Sequence, residues 1–539
     1  MTGMLLYSAW IQDYGMVPEP QAPAAAVPPA GQPARPAEDV PSLVETDGPE
    51  AAAAQIQPLQ AAGERIVVET DVLRVEIGAR GAGIRRAMLL QYPVKIDQPD
   101  DPLVLLDDDP NEIYIVQGGL LSQQAAPTHE AEFSSAQERY VLDPGADTLV
   151  VPLTWRGNGL EVTKRYEFRR GSYLVTVSYE IRNTSGEPWQ GRSYAQIQRT
   201  DPGRAGRRLV YTYLGAVFSS PEKRYEKVDF DDLRDARVDR DVRNGWVAML
   251  EHYFVTALVP SDTESAWHYY GRELSGDRFT VGLMSPAQVV APGETGEVRQ
   301  QVYIGPKLQH VLENVAPGLE LTVDYGVLWF IAKPLFWCLE WLHRLTGNWG
   351  WAIVLVTILL KAAFYHLSAA GYRSMANLRR VQPRILALRD RYKDDRARLN
   401  QAMMQIYKEE KINPFGGCLP ILIQIPVFIA LYWVLLESVE MRQAPFVLWI
   451  RDLSSPDPYW VLPIVMGVTM FVQQKLNPAP MDPVQQRVMQ IMPFAFTIFF
   501  GFFPSGLVLY WVVNNILSIG QQWLITRSLE KTGTPPAKA

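Results

Sequence analysis

The sequence predicts a multi-domain membrane protein: a large antiparallel β-sandwich joined to an α-helical membrane core of five transmembrane helices, with a cytoplasmic helical hairpin between the first two. Three observations carry this. Hydrophobicity alternates with period two from Arg65 to about Val323, apolar runs of bilayer-crossing length cluster after residue 320, and a strongly basic insert separates the first two of those runs.

The chain opens on an apolar stretch, Met1–Ile11, with Tyr7 and Trp10 suited to an interface. As a helix it would reach only ~16 Å, about half a bilayer core. Residues 1–17 are therefore expected to be part of a longer anchor or to dip into the interface. Residues 18–63 are rich in Ala, Pro, Gln and Glu and nearly free of aromatics. Such a tract cannot bury enough surface to offset its ordering entropy, so an extended tether is expected.

The β-sandwich is assigned to residues 64–322. In Tyr173–Ile181, Tyr173, Val175, Val177, Tyr179 and Ile181 point one way while Thr176, Ser178 and Glu180 point the other. Similar runs at Ile66–Glu69, Leu73–Ile77, Val162–Phe168 and Val298–Ile304 are punctuated by Arg80-Gly81, Pro144-Gly145, Asn158-Gly159 and Pro292-Gly293, which read as turns. The acidic stretch Ile96–Pro110 is expected to be a solvated loop.

Residues 323–346 interleave Trp329, Phe330, Phe336, Trp337 and Trp341 with Lys333, Glu340, His343 and Arg344. That pattern is too polar to span and fits a helix in the outer interface. The first full span, 347–371, carries Lys361, about 18 Å along from Trp349 and so deep in hydrocarbon. A cation there costs roughly 2.5–3.5 kcal/mol on insertion scales. Either the side chain snorkels to the headgroups, or it faces a wet cavity and acts there. Thr357 and Tyr365, four residues to each side, would share its helical face.

The insert, 372–418, holds eleven Lys or Arg against five acids between Tyr372 and Gly417, which places it in the cytoplasm and the sandwich on the other side. Leu378, Val381, Ile385, Leu388 and Tyr392 repeat at helical spacing, as do Leu399, Met403 and Ile406, so two helices packed as a hairpin are expected. Pro383 suits the first turn of a helix that restarts below the membrane. Positive-inside topology accounts for the basic excess; contact with ribosomal RNA is the other reading.

Four more spans are expected at 419–437, 459–474, 487–503 and 504–526, with an outer loop at 438–458, a cytoplasmic loop at 475–486 and a cytoplasmic tail at 527–539. Trp511, Asn515, Ser518 and Gln522 fall on one face of the last span. Gln424, Gln473, Gln474 and Asn514 add further polar groups; they read either as a hydrophilic groove or as ordinary hydrogen bonds between helices. Met489, Met492, Phe496, Phe499, Phe500 and Phe503 give the fifth span an adaptable apolar stripe that equally suits core packing.

Net charge is −7, which supplies no general case for binding nucleic acid. Cys338 and Cys418 would lie on opposite membrane faces and cannot pair. The six histidines show no metal-ligand spacing, and no nucleotide-binding glycine motif is present. No metal or cofactor is expected, and no enzymatic activity.

Several strings together resemble the YidC family of membrane protein insertases: ETDVLRVEIGARGAGI (Glu69–Ile84), GNWGWAIVLVTILLK (Gly347–Lys361), NPFGGCLPILIQIPVFIALYWVL (Asn413–Leu435), RQAPFVLWIRDLSSPDPYWVLPIVMGVTMFVQQK (Arg442–Lys475) and FPSGLVLYWVVNN (Phe503–Asn515). The resemblance implies a periplasmic β-supersandwich, a five-helix core in the bacterial inner membrane, and a hydrophilic groove open to cytoplasm and lipid. It also implies a basic residue at Lys361, usually arginine, that attracts acidic residues of a client's leading tail. By the resemblance Thr357, Gln424, Tyr510 and Trp511 would line the groove; the polar face of the last span adds Asn515 and Ser518, and Phe428, Met492, Phe496 and Phe500 are expected to form an apolar slide. The implied partners are nascent membrane proteins, the ribosome and signal-recognition pathway, the Sec translocon and the lipid bilayer. This chain departs from the family at His366, where a proline is usual, and in its short first segment.

Two other functions are compatible with parts of the sequence. A secondary transporter could use Lys361 as a substrate or proton site, but it would call for a paired charge inside the membrane. A sugar-binding or epimerising sandwich would need a convergent pocket of histidine and carboxylate, drawn from His129, His252, His268 and His310.

Overall fold

The computed structural model describes residues 39–41, 64–203, 212–392, 395–410, 419–476 and 483–531. The expected anchor and tether, residues 1–63, lie almost wholly outside these, as does Cys418.

Residues 65–306 form two sheets packed face to face. Among the described residues, eleven strands make one sheet and nine the other. The alternation read from the sequence sets the register of Leu174–Asn183, which pairs antiparallel with Leu160–Arg169 on one side and Thr295–Pro306 on the other. Its inward residues Val175, Val177, Tyr179 and Ile181 are buried. Thr148–Gly157 turns back into Leu160–Arg169 through Asn158 and Gly159, both at positive φ. A two-residue turn of that kind matches the right-handed twist of the strands it joins.

Two sequence expectations need correction here. One strand pair is parallel rather than antiparallel: Arg65–Glu69 with Arg139–Val141, because the chain crosses the sheet before returning to that edge. The acidic stretch Ile96–Pro110 is not a free loop. Gln98–Leu106 is a strand paired with Ile84–Lys95, since Leu105 and Leu106 are buried while Asp100 and Asp101 stay in solvent.

Helix α1, Phe230–Asp235, decorates the sandwich, and α2, Gln309–Val315, leads out of it. The helical part then comprises α3 (Trp329–Thr346), α4 (Trp349–Ala363), α5 (Tyr365–Arg391), α6 (Arg396–Glu409), α7 (Leu419–Glu437), α8 (Val461–Leu476), α9 (Pro483–Phe500) and α10 (Ser505–Lys531). Helix α3 buries Ala332, Leu335, Phe336, Leu339 and Leu342 against α4 and α7 while leaving Trp329, Phe330, Trp337 and Trp341 exposed. Its outer face is thus indole-rich.

The expected continuous span 347–371 is broken. Phe364 leaves helical geometry, and α4 meets α5 at 68°. Together Trp349–Ala363 and Tyr365–Leu378 have the length and apolarity of a membrane crossing. No single helix among the described residues does, and Leu422–Glu437 and Val461–Leu476 are shorter apolar helices. The break falls at Phe364, with His366 two residues on. Pro383 does not start a helix; it lies inside α5, which runs unbroken from Tyr365 to Arg391. Packing explains the continuity: Val381 and Ile385 are buried against Leu378, Met403, Ile406 and Tyr407, the seam expected for the α5–α6 hairpin.

Candidate functional site

The bend places Lys361 in the last turn of α4, next to the break and near the middle of the apolar pair Trp349–Leu378. A helix C-terminus presents unpaired carbonyls and the negative end of its dipole, so a cation is better tolerated there than in a straight span. The Lys361 Nζ donates to Ser518 Oγ at 2.8 Å, and Ser518 passes the bond on to Asn514 O at 2.7 Å. The Tyr372 hydroxyl lies near Ser518 as well. Lys361 itself is half-buried, and no carboxylate among the described residues pairs with it. It neither snorkels free of the bundle nor sits in an ion pair.

Helix α10 supplies most of the other polar groups, and its face Asn515, Ser518 and Gln522 is buried as a stripe. Asn515 Nδ2 donates to Thr469 Oγ1 on α8 at 3.2 Å, and Gln522 Nε2 to Leu476 O at 3.2 Å. Gln424 on α7 donates to Asn514 Oδ1 at 3.2 Å and lies near the Tyr510 hydroxyl. Thr357 is buried but bonds back to Ile353 O at 2.7 Å, within its own helix. The break separates it from Tyr365, which is exposed, so the expected common face is lost.

Aromatic rings continue the site toward α9. Phe428 lies 5.8 Å from the Tyr510 ring and 4.8 Å from Trp511, Trp511 is 5.5 Å from Phe500, and Phe500 is 5.9 Å from Phe496. Met492 is half-buried on the same helix. Tyr510 and Phe500 are buried, so in this conformation they close the seam between α7, α9 and α10 rather than present an open slide. The Trp511 indole N–H is buried with no acceptor among the described residues. Thr469 and Tyr372 were not singled out from the sequence. Thr469 left one trace, a lone hydroxyl within VMGVTMF beside Gly467, which marks close helix packing.

The histidines of the sandwich do not come together: His252 alone lines a cleft with Asp107, Glu112 and Glu251, and the others lie elsewhere. His129 Nδ1 is bound to the Tyr194 hydroxyl at 2.6 Å in the core, His252 reaches Leu436 O at 3.0 Å, and His268 lies between Asp239 and Asp241 at the surface. No cluster of metal-ligating side chains occurs among the described residues.

Two family models match the chain in series: the YidC periplasmic domain over residues 65–338 and the 60Kd inner membrane protein over residues 341–532. The chain belongs to the YidC family of membrane protein insertases. It is 50% identical to the membrane protein insertase YidC of Thioalkalivibrio sulfidiphilus, over 98% of this chain and 96% of that one, and 49% identical to that of Nitrosococcus oceani, over 98% and 97%. It is also similar to a solved active YidC insertase with its first transmembrane domain resolved, at 20% identity, 85% and 92% coverage and a TM-score of 0.37. As a family member the protein is a non-catalytic insertase of the inner membrane, with its β-rich domain in the periplasm.

Proposed function

We propose that the α-helical part is a five-span membrane core, formed by α4 with the start of α5 and by α7, α8, α9 and α10, and that Lys361 is its receiving charge. A client's polar, often acidic leading segment enters from the cytoplasm, exchanges for Ser518 at the ammonium, and passes outward while its apolar part moves along Phe428, Met492, Phe496 and Phe500 into lipid. Thr357, Gln424, Tyr510, Trp511 and Asn515 border this path. Bringing polar groups to the middle of the crossing shortens the dry distance a hydrophilic tail must travel. Burial of client apolar surface, at about 25 cal/mol per Å², drives release into the bilayer. The nascent membrane protein, the ribosome and signal-recognition pathway that deliver it, and the Sec translocon are the partners this route calls for.

One observation carries the reading: the ammonium of Lys361 rests on a neutral hydroxyl that a carboxylate can displace. The test is rescue of a depleted strain by Lys361→Arg, Lys361→Ala and Lys361→Glu, scored by insertion of a single-spanning client with an acidic tail. Arg is expected to restore insertion, Ala to reduce it and Glu to abolish it. Full activity of the Glu variant sinks the proposal.

A further inference from the structure

The outer loop between α7 and α8 is stiffly built, yet it holds Leu448 out of the protein, more exposed than its other apolar side chains Val447 and Tyr459. Asp452 accepts from Gln443 N at 2.9 Å, Ser454 N at 2.8 Å and the Ser455 hydroxyl at 2.7 Å. Asp457 accepts from the Trp449 indole at 3.0 Å and from Leu462 N at 2.7 Å. Between these two hubs a turn is closed by Phe446 N to Ile450 O at 2.9 Å and Ile450 N to Val447 O at 3.2 Å. At its tip stands Leu448, with φ of 57° and 83% of its surface exposed. A γ-branched residue in the left-handed region is unusual, and a solvent-facing turn would favour Gly or Asn there. Neither packing nor turn geometry asks for leucine.

The height of the turn is fixed by its attachment to α4. Asn348, which caps that helix by accepting from Trp351 N, donates its side-chain amide to Pro445 O and Phe446 O, both at 3.1 Å. The Phe446 ring lies against Gly350, where an added Cβ would come within 2.0 Å of it, and edge-on to Trp351. From the break at Phe364 back to Trp351 the helix rises ~20 Å. Half of a hydrocarbon core is ~15 Å, so Trp351 and the turn beside it fall at the headgroup level, where tryptophan concentrates. The same rim holds a second apolar tip. Arg442 and Gln443 donate to Pro93 O at 2.7 and 2.8 Å, and Arg451 pairs with Asp97, bringing in the hairpin that exposes Val94 and Ile96.

The geometry points to Leu448 as a membrane finger: the 446–450 turn inserts its tip into the outer leaflet at the boundary of headgroup and acyl chain, fixing the depth of the loop. The occupant of this surface is lipid. The finger rests on the reading of α4–α5 as a membrane crossing, and continuity with the exposed indoles of α3 and with Trp351 favours a bilayer over a protein partner.

The experiment uses the full chain carrying Cys338→Ser and Cys418→Ser, with an environment-sensitive NBD fluorophore on Leu448→Cys, reconstituted in phosphatidylethanolamine and phosphatidylglycerol vesicles. Ile498→Cys, exposed on α9, is the membrane control. NBD at 448 is expected to emit to the blue of its emission in water, and to lose most of its intensity to lipids spin-labelled near the headgroup but little to lipids labelled at the chain end. Water-like emission at 448 beside a quenched 498 overturns the finger and leaves the crossing intact. Blue emission without lipid quenching assigns the tip to a protein surface and also overturns it. If 498 is unquenched as well, the membrane reading of the core falls together with the finger.

Discussion

Lys361 and Ser518 face each other across α4 and α10 at 2.8 Å, a cation held by a hydroxyl where a carboxylate would give a permanent ion pair. That choice of partner leads to a prediction. Ser518→Ala removes one neutral acceptor, whose bond contributes on the order of 1–3 kcal/mol when the donor is charged, and should leave insertion of acidic-tailed clients close to normal. Ser518→Asp should occupy the ammonium permanently and cut their insertion severalfold, while clients with neutral tails suffer less. Insertion assays with matched acidic and neutral tails check this. Equal effects on both client classes would remove the electrostatic role given to Lys361.

The joint between sandwich and core predicts a second effect. Lys307, just after the last strand of the sandwich, is buried with its Nζ 3.4 Å from Glu437 at the end of α7 and 3.2 Å from Thr322 O. Burial depresses the Lys307 pKa, and Glu437 partly offsets that. Removing one partner of a buried pair typically costs ~3–5 kcal/mol, because the other charge stays desolvated and alone. Lys307→Met or Glu437→Gln should therefore lower the thermal midpoint of the detergent-solubilised protein markedly. The double variant Lys307→Met with Glu437→Leu should recover much of the loss. A double variant no better than the worse single would show that the two residues act separately.

Glycine spacing gives a third prediction, one that separates packing from propensity. At Gly467 on α8, a Cβ would lie 2.0 Å from Thr497 Oγ1 on α9, whereas nothing lies within 4 Å of a Cβ at Gly520 on α10. Overpacking costs about 1–3 kcal/mol. Gly467→Ala should thus reduce the melting temperature, and Gly520→Ala should hold or raise it. Thermal denaturation of the two variants side by side decides the matter.

How much of this was legible beforehand depended on whether the signal was local. Alternation in Tyr173–Ile181 set a strand and its inward face because a period of two admits only one way to bury Val175, Val177 and Tyr179. The α5–α6 seam was equally readable from Val381 and Ile385. The break at Phe364 was not, since Phe364 carries no proline or glycine signature and the apolar run continues past it; hydropathy therefore drew one straight span. Pro383 misled in the opposite direction, its ring tolerated inside α5 where packing against α6 holds the helix. For the site, Lys361, Asn515 and Ser518 could be named from helical spacing, but the pairing of Asn515 with Thr469 depends on how α8 and α10 approach. The parallel pairing of Arg65–Glu69 with Arg139–Val141 is likewise a matter of long-range topology.

The interior of the sandwich supplies the last prediction, in which the effect is carried by pH. Lys164 is buried between the sheets, its Nζ donating to Gly118 O at 3.0 Å and Gly81 O at 3.3 Å and lying over the rings of Tyr166 and Tyr179. Desolvation, helped by the nearby Arg85 charge, pushes its pKa down to about 7 from 10.5. Below pH 7 both folded and unfolded chains hold the proton, so the cost of burying the charge is felt in full. Between about 7 and 10.5 the folded chain releases the proton while the unfolded chain keeps it, and stability rises with pH through that window, by roughly 3–5 kcal/mol. Lys164→Met, with no charge to bury, lacks this term. The difference in melting temperature between Lys164→Met and the parent, followed through the β-sheet signal of the full chain in detergent, should therefore narrow or reverse in the parent's favour as pH rises from 7 to 10. A difference independent of pH would mean that Lys164 keeps its proton throughout, held by its two carbonyls and two aromatic faces.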